Sequence, residues 1–476
     1  MRVPNSVENI SKQSGSKKME AELVILGGGG AGLAAATAAT EEGVKSIVVL
    51  EKRTTLGGNT ARATGLFACE SPVQARERII ADKDELLKRA VKWAHLSRID
   101  PRIIRAFLNK SGDTIRWLEH YGLEFHIVPF YPNQQPRVWH CPKGRGLKLT
   151  QVLAETCRKR GVKLLLRSSG KKIRLDAEGR VTGVVAVKEG EEFEIIAGST
   201  IIATGGLGGN KELLNKYCPS YYDDMPLRGL PLTGDGLLMA AEAGAAIHDF
   251  VTLLKEGPRV NLHSWPLMGL ERAPATLWVN SRGRRFVDEM EGDSPFESVN
   301  AMLRQPDKIC YTLLDSAIRK HYEDTKPGLE KALQKEARKA KVKIADSWDE
   351  IAGWIGADPK TLEDTIEEYN VFCHQGYDAV FAKDRRYLMP LRTAPYFAIK
   401  CMPVYLDTIG GIKINEHMEV MDDCHHPIPG LYAAGVITSG WMAETYCGDL
   451  SGSAFGFAIN SGRIAGENAA KFTLGK

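Results

Sequence analysis

Four consecutive glycines, Gly27 to Gly30, follow the apolar run ELVIL at residues 22–26 and lead through Ala31 and Gly32 into the small-residue series LAAATAATEEG. Gly27, Gly29 and Gly32 have the spacing GxGxxG, in which a side-chain-free turn opens a helix and its unpaired N–H groups face an anion. Gly27 permits the tight turn, Gly29 lets the backbone approach a pyrophosphate, and Gly32 lets the helix pack closely on the strand. A second apolar run, SIVVLEK, ends at Glu51, nineteen residues beyond Gly32, where a carboxylate binds the hydroxyls of an adenosine ribose. Strand, glycine turn, helix and acid in this order predict a dinucleotide-binding βαβ unit, without deciding which dinucleotide.

The elements that position this turn belong to a chain of 476 residues with a net charge of +4, 43% apolar and 26% charged, an ordinary globular balance with room for two or three domains. No basic tract marks a nucleic-acid partner. Nine cysteines, with no CxxC or CxxCH, exclude the short-spaced zinc, iron–sulfur and c-type haem signatures and read as free thiols in a reducing, cytoplasmic setting. No apolar stretch is long enough to span a membrane. The polar residues 1–18 read as a disordered leader, with the folded chain starting near Met19. The run PRIIRAFLNKSGDTIRWLEHYG carries apolar residues at Ile103, Ile104, Phe107, Leu108, Ile115 and Leu118, the period of an amphipathic helix. Cys424, His425 and His426 lack a second ligand pair and read as a solvated turn, so no metal site is expected.

Further glycine clusters follow in order: GGNT (Gly57, Gly58, Asn59, Thr60), IIATGGLGGN (residues 201–210), TGDG (233–236), TIGG (408–411), PIPGLYAAG (427–435) and SGRIAGENAA near the end. This ordered set resembles the flavoproteins that include fumarate reductase and succinate dehydrogenase flavoprotein subunits, urocanate reductase and 3-ketosteroid dehydrogenases. The resemblance covers nearly the whole chain from Glu20 on. It implies FAD and an α/β fold: a doubly wound, Rossmann-like FAD-binding domain at residues 19–250 and 408–476, interrupted by an α+β capping domain at 251–407. It also implies FAD contacts. Gly27, Gly29, Gly30, Ala31, Gly32, Glu51 and Lys52 fall at the first turn and the ribose acid. Gly57, Gly58, Asn59, Thr60 and Gly65 follow, then Ala203, Thr204, Gly205, Gly206 and Asp235, and finally Gly435, Ser451, Ser453 and Ala454. Some relatives attach flavin covalently through a histidine just after the glycine pair. GGNTARATGLF has none, so FAD is expected to be held non-covalently. Val436 stands where relatives commonly carry an acid.

On the substrate side the chain departs from fumarate and urocanate reductases, whose arginines clamp a carboxylate. No arginine occurs between Leu431 and Arg463, Asp293 stands near the place of the acid-donating arginine, and Leu406 and Asp407 replace the histidines of an HHTMGG motif. Fumarate is therefore not the expected substrate. The loop Thr445, Tyr446, Cys447, Gly448 is closer to the Thr-Tyr-Pro-Gly segment of 3-ketosteroid dehydrogenases, which implies that Tyr446 donates to a substrate ketone, as in an oxyanion hole. Candidates for the proton relay are Arg272, Glu271, Asp407, Tyr405 and His140. The resemblance implies an FAD-dependent oxidoreductase that reduces, or forms, a C=C bond conjugated to a neutral carbonyl by hydride exchange with flavin N5. Reductive deoxygenation of an isoflavonoid-type phenol, a fumarate reductase-like activity on a carboxylate substrate, and an electron-transfer subunit without catalysis of its own are the alternatives. With no second GxGxxG there is no built-in nicotinamide site, and the electron donor or acceptor is left open.

Overall fold

The computed structural model describes residues 17–131, 134–260 and 267–476. In chain order the elements that matter for the site are β1 (Lys17–Glu20), β2 (Leu23–Leu26), α1 (Gly30–Glu41), β3 (Ile47–Glu51), α2 (Pro101–His120), β4 (Lys163–Leu166), β5 (Glu191–Ile196) and β6 (Ser199–Ile202). They are followed by β7 (Thr252–Arg259), β8 (Cys310–Asp315), β9 (Tyr396–Ile409), β10 (Glu419–Met421), β11 (Pro427–Ala433) and α3 (Ser453–Thr473).

LVIL, IVVLE and STII are continuous runs of β-branched and leucine residues buried along their whole length, as strands covered on both faces must be. They form the middle of a six-stranded sheet in the order β10–β11–β6–β2–β3–β4, parallel except for the β10 edge. This is the doubly wound α/β sheet that the family resemblance implies. Its ends come from residues far apart in the chain, because the final segment returns as β11 beside β6. The closing motif SGRIAGENAA has a definite packing role here. Gly462 and Gly466 lie one turn apart on α3, and a Cβ on either would stand 2.3 Å from a carbonyl of α1, that of Ala31 or Ala35. Without side chains there, α3 lies directly on α1 and fixes the helix that follows the glycine turn. α2 forms as expected: the Asp100 side chain caps it by accepting from the Arg102 N–H at 2.8 Å, and the face from Ile103 to Leu118 is buried. Thr114 on that helix donates to Asn460 of α3 at 2.6 Å.

The described residues start two before Met19. Lys17 and Lys18 already belong to β1, which pairs in parallel with β5, Met19 opposite Ile195. The remainder of the expected leader, residues 1–16, lies outside the described residues. Among the described residues no helix is long and apolar enough to cross a membrane.

A second buried core, built around Leu277, Leu313, Ile351, Phe397 and Ile399, is separate from the one that encloses the parallel sheet. β7 and β9 join the two. They pair antiparallel from Thr252 opposite Ile409 to Arg259 opposite Met402, and further along β9 pairs with β8 inside the second core. A long two-stranded ribbon thus carries side chains from one core to the other, past the open ends of the parallel strands. Behind it, Arg285 bonds Glu289 at 2.8 Å and Asp378 at 2.7 Å, and Lys383 reaches Glu289 at 3.0 Å. All four are buried, so this knot holds the NSRGRRFVDEMEGD segment rigidly against the core.

Candidate functional site

A cavity of about 650 Å³ runs from the glycine turn to the β7–β9 ribbon. At its first end the wall is mostly backbone. Gly27, Gly29, Gly30 and Ala31 line it, with Glu51, Lys52, Gly58, Asn59 and Thr60 beside them. A Cβ on Gly32 would lie 1.9 Å from the Gly27 carbonyl oxygen, so α1 approaches the turn only because that side chain is missing. A Cβ on Gly29 would meet no protein atom within 4 Å, because it would project into open space. Glu51 is held by the N–H groups of Gly28 at 2.9 Å and Arg53 at 2.8 Å, one to each carboxylate oxygen, which fixes it at the end of β3 with acceptor capacity left over. Lys52 bonds Asp235 at 2.8 Å. Burial alone would raise the Asp235 carboxyl, but hydrogen bonds from Lys52 and Thr233 hold it below the usual range.

Ala203, Thr204, Gly205, Gly435, Val436 and Ala454 continue the wall. The Thr204 hydroxyl is buried without a partner among the described residues. An elongated cavity, a bare glycine turn at a helix N-terminus, a clamped ribose acid and an unsatisfied hydroxyl along its length together fit a dinucleotide. The other expected contacts lie off the wall. Gly57 donates to the Gly28 carbonyl at 2.8 Å, Gly65 is packed against Trp139 and Cys141, and Gly206 lies against Asp407 and Thr408. The Ser451 hydroxyl bonds the Gly448 carbonyl and Gln134, and Ser453 is buried in the first turn of α3.

At the second end the wall is made of side chains on the ribbon and the loop against it: Leu227, Arg228, Leu254, Glu256, Arg259, Met268, Leu406 and Asp407. Asp407 is cross-strand partner to Leu254. It accepts from the Asn59 side chain at 2.6 Å and from the Thr408 N–H at 2.8 Å, while Asn59 itself accepts from the Leu230 N–H at 2.9 Å. Burial pushes the Asp407 carboxyl up to about 6, against the two hydrogen bonds that favour its ionised form. Arg259 donates to Glu256 at 2.7 Å and to Glu271 at 3.4 Å, and Arg228 faces Glu256 at 3.7 Å.

Of the six residues singled out for catalysis, Asp407 alone lines the cavity. His140 is fully buried away from it: Nδ1 meets the Val138 carbonyl at 2.9 Å and Nε2 meets the Ser71 hydroxyl at 2.7 Å. Burial lowers it to about 4, so the imidazole is neutral at pH 7 with both ring nitrogens engaged. The Tyr446 hydroxyl accepts from the Ala454 N–H at 3.2 Å, and its ring packs on Phe296 at 4.6 Å, one layer behind the wall. Glu271 lies behind Arg259 and accepts from the Gly269 N–H at 2.7 Å. Arg272 donates to the Gly292 carbonyl at 2.9 Å, and burial, then the charge of Arg259, lowers its pKa. Tyr405 donates to the Gly208 carbonyl at 2.8 Å. Asp293 is also off the wall. Cys424, His425 and His426 form the β10–β11 turn, tied by backbone N–H groups to the Asp422 side chain.

Glu256 and Arg259 were not among the candidates. The signal for them is KEGPR inside a strand that is otherwise apolar and buried along nearly all its length, because charges in such a run need partners or a cavity.

The sequence profile of the FAD binding domain family matches residues 22–449. The chain belongs to that family. FAD is its cofactor, and it is an FAD-dependent oxidoreductase related to the fumarate reductases. It is 30% identical to the vinyl phenol reductase of Lactiplantibacillus plantarum over 95% of this chain and 97% of that protein. The structure of an open flavocytochrome c3 fumarate reductase matches at a TM-score of 0.76 and 26% identity, covering 96% of this chain and 79% of that one. A 3-ketosteroid Δ4-(5α)-dehydrogenase from Rhodococcus jostii matches at 0.76 and 23% identity over 98% and 99%, a likeness of fold. Within this family fold, the glycine turn and Glu51 would hold the adenosine and pyrophosphate. The wall from Thr204 to Ala454 would hold the rest of FAD.

Proposed function

We propose that the protein uses FAD to reduce a C=C bond in an uncharged substrate, the double bond being conjugated to a carbonyl group or a phenol ring. The observation that carries this reading is the pairing of cations on the ribbon end of the cavity. Arg259 faces Glu256 and Glu271, and Arg228 also faces Glu256. A substrate carboxylate would bring a further negative charge to a wall where Glu256 and Asp407 already stand, and Arg259, engaged by two carboxylates, offers it no free guanidinium fork. The apolar residues Leu227, Leu254, Met268 and Leu406 suit an uncharged molecule.

FAD supplies a hydride to one carbon of the double bond when bound and reduced. The protein must then deliver a proton to the other carbon. Asp407 is the wall residue suited to this, since it is buried, fixed by Asn59, and holds its proton more tightly than an exposed carboxyl does. The relation to a vinyl phenol reductase along nearly its whole length supports an uncharged alkene as substrate. Dithionite-reduced protein, mixed anaerobically with 4-vinylphenol or with the enone benzylideneacetone, should regain its oxidised flavin spectrum and yield one saturated product per flavin. Arg62 also lines the cavity and donates to the Arg228 carbonyl at 3.2 Å; reoxidation by fumarate but by neither uncharged compound would refute the reading and point to Arg62 and Arg228 as a carboxylate clamp.

A further inference from the structure

We infer that Glu256 and Arg259 together form a recognition site for a hydroxyl group, which selects a phenol over its ether and over a carboxylate. The inference rests on the reductase reading above and names the substrate class of the same cavity. Both residues project from β7 onto the cavity wall, with side chains only 7% and 13% exposed, and Arg259 Nη2 donates to Glu256 Oε2 at 2.7 Å. Glu271 takes a second bond from Nη1, so the guanidinium plane is fixed from two sides.

This pairing leaves hydrogen-bonding capacity unused on both partners. Each terminal guanidinium nitrogen carries two N–H groups, and only one on each is engaged by a carboxylate. Glu256 Oε1 lies 3.7 Å from Arg228, beyond hydrogen-bond reach, and can accept a further donor. A donor and an acceptor therefore stand side by side, with Arg228 beyond the Glu256 oxygen and the apolar Leu254, Met268 and Leu406 lining the same end of the cavity. A hydroxyl uses both. A ketone or an ether takes the Arg259 N–H but leaves the desolvated Glu256 oxygen unmatched, and a carboxylate sets like charge against it. A phenol satisfies the pair better than an alkyl alcohol, because its O–H is the stronger donor to a carboxylate and its flat ring lies against apolar side chains. The hydroxyl site and Asp407 are on paired strands: Asp407 is opposite Leu254, and Glu256 lies two residues further along β7, roughly 6–7 Å. One aromatic ring can thus bridge the hydroxyl anchor and the proton source.

Calorimetric titration of the FAD-loaded protein with 4-ethylphenol and with 4-ethylanisole, neither of which can be reduced, tests this apart from turnover. The phenol should bind at least about tenfold more tightly than its methyl ether, as a site built around a hydroxyl discriminates. In Glu256→Gln, where a neutral amide is the weaker acceptor, the preference should shrink several-fold. Equal affinities in the parent protein, or a preference unchanged in the variant, would overturn the inference. Should the variant fail to fold, the parent ratio alone decides. A strong phenol preference in a protein that reduces neither 4-vinylphenol nor benzylideneacetone would uphold the hydroxyl site and remove the reductase reading instead.

Discussion

At the glycine-turn end of the cavity the wall is mostly backbone around a clamped carboxylate; at the ribbon end it is mostly side chains, projected from two strands that meet only through long-range pairing and from the loop against them. The first end is determined within about thirty residues of sequence, because a turn without side chains, a helix N-terminus and an acid at fixed spacing are all local features. The second depends on register. Asp407 reaches the cavity because it pairs opposite Leu254, and a slip of one residue would send it to the other face of the ribbon. The contrast teaches that the cofactor end of this protein is specified by what is absent from the side chains, and the substrate end by where side chains are carried.

The largest effect should come from filling the glycine turn. Gly32→Val puts a side chain where a Cβ already stands 1.9 Å from the Gly27 oxygen, so both packing and FAD binding should fail. Gly29→Val sharpens the contrast. Its Cβ meets no protein atom, so the FAD-free chain should keep its stability within about 0.5 kcal/mol while losing flavin. The flavin-to-protein absorbance ratio and thermal unfolding of both variants check this, and a Gly29→Val protein that retains its flavin would displace the assigned pyrophosphate turn.

At the other end, Asp407→Asn should keep flavin and fold but lose on the order of 10²–10⁴ in turnover, the scale of removing a general acid. The sign of the pH dependence follows from its role. Only the protonated carboxyl donates, so parent activity should be level below about pH 6 and fall tenfold per unit above it, and the break should vanish in the variant. A profile that rises with pH would make Asp407 a base or a bystander.

The smallest effect is expected for Tyr446→Phe. The hydroxyl accepts one backbone hydrogen bond from Ala454 behind the wall, so its loss should cost about 1 kcal/mol of stability and leave turnover near the parent's. A hundredfold drop in turnover would instead mean that the hydroxyl reaches the substrate.

Much of the fold was legible in the sequence for the same reason as the glycine turn: the βαβ unit and α2 announce themselves through local period and caps. The close packing of α3 on α1 was not readable from its glycines alone, since Gly462 and Gly466 acquire their role only when Ala31 and Ala35 lie opposite. His140 looked like chemistry in a loop-like stretch, yet Ser71 and Val138, distant and near in sequence, satisfy both ring nitrogens. Tyr446 followed a motif whose spacing fits, but the turn after Gly448 directs its hydroxyl toward the start of α3. Glu256 and Arg259 escaped because two opposite charges three residues apart usually form a surface pair. Burial of the strand that carries them follows from its pairing with β9.

The central claim is that the ribbon end receives an uncharged alkene. Its most direct test is the ratio of kcat/KM for 4-vinylphenol or benzylideneacetone to that for fumarate, measured anaerobically with one artificial electron donor on the same protein. The engagement of Arg259 by Glu256 and Glu271 predicts a preference of at least about tenfold for an uncharged compound, since a carboxylate buried beside Glu256 and Asp407 loses more solvation than it regains. A preference for fumarate of the same size would contradict the account.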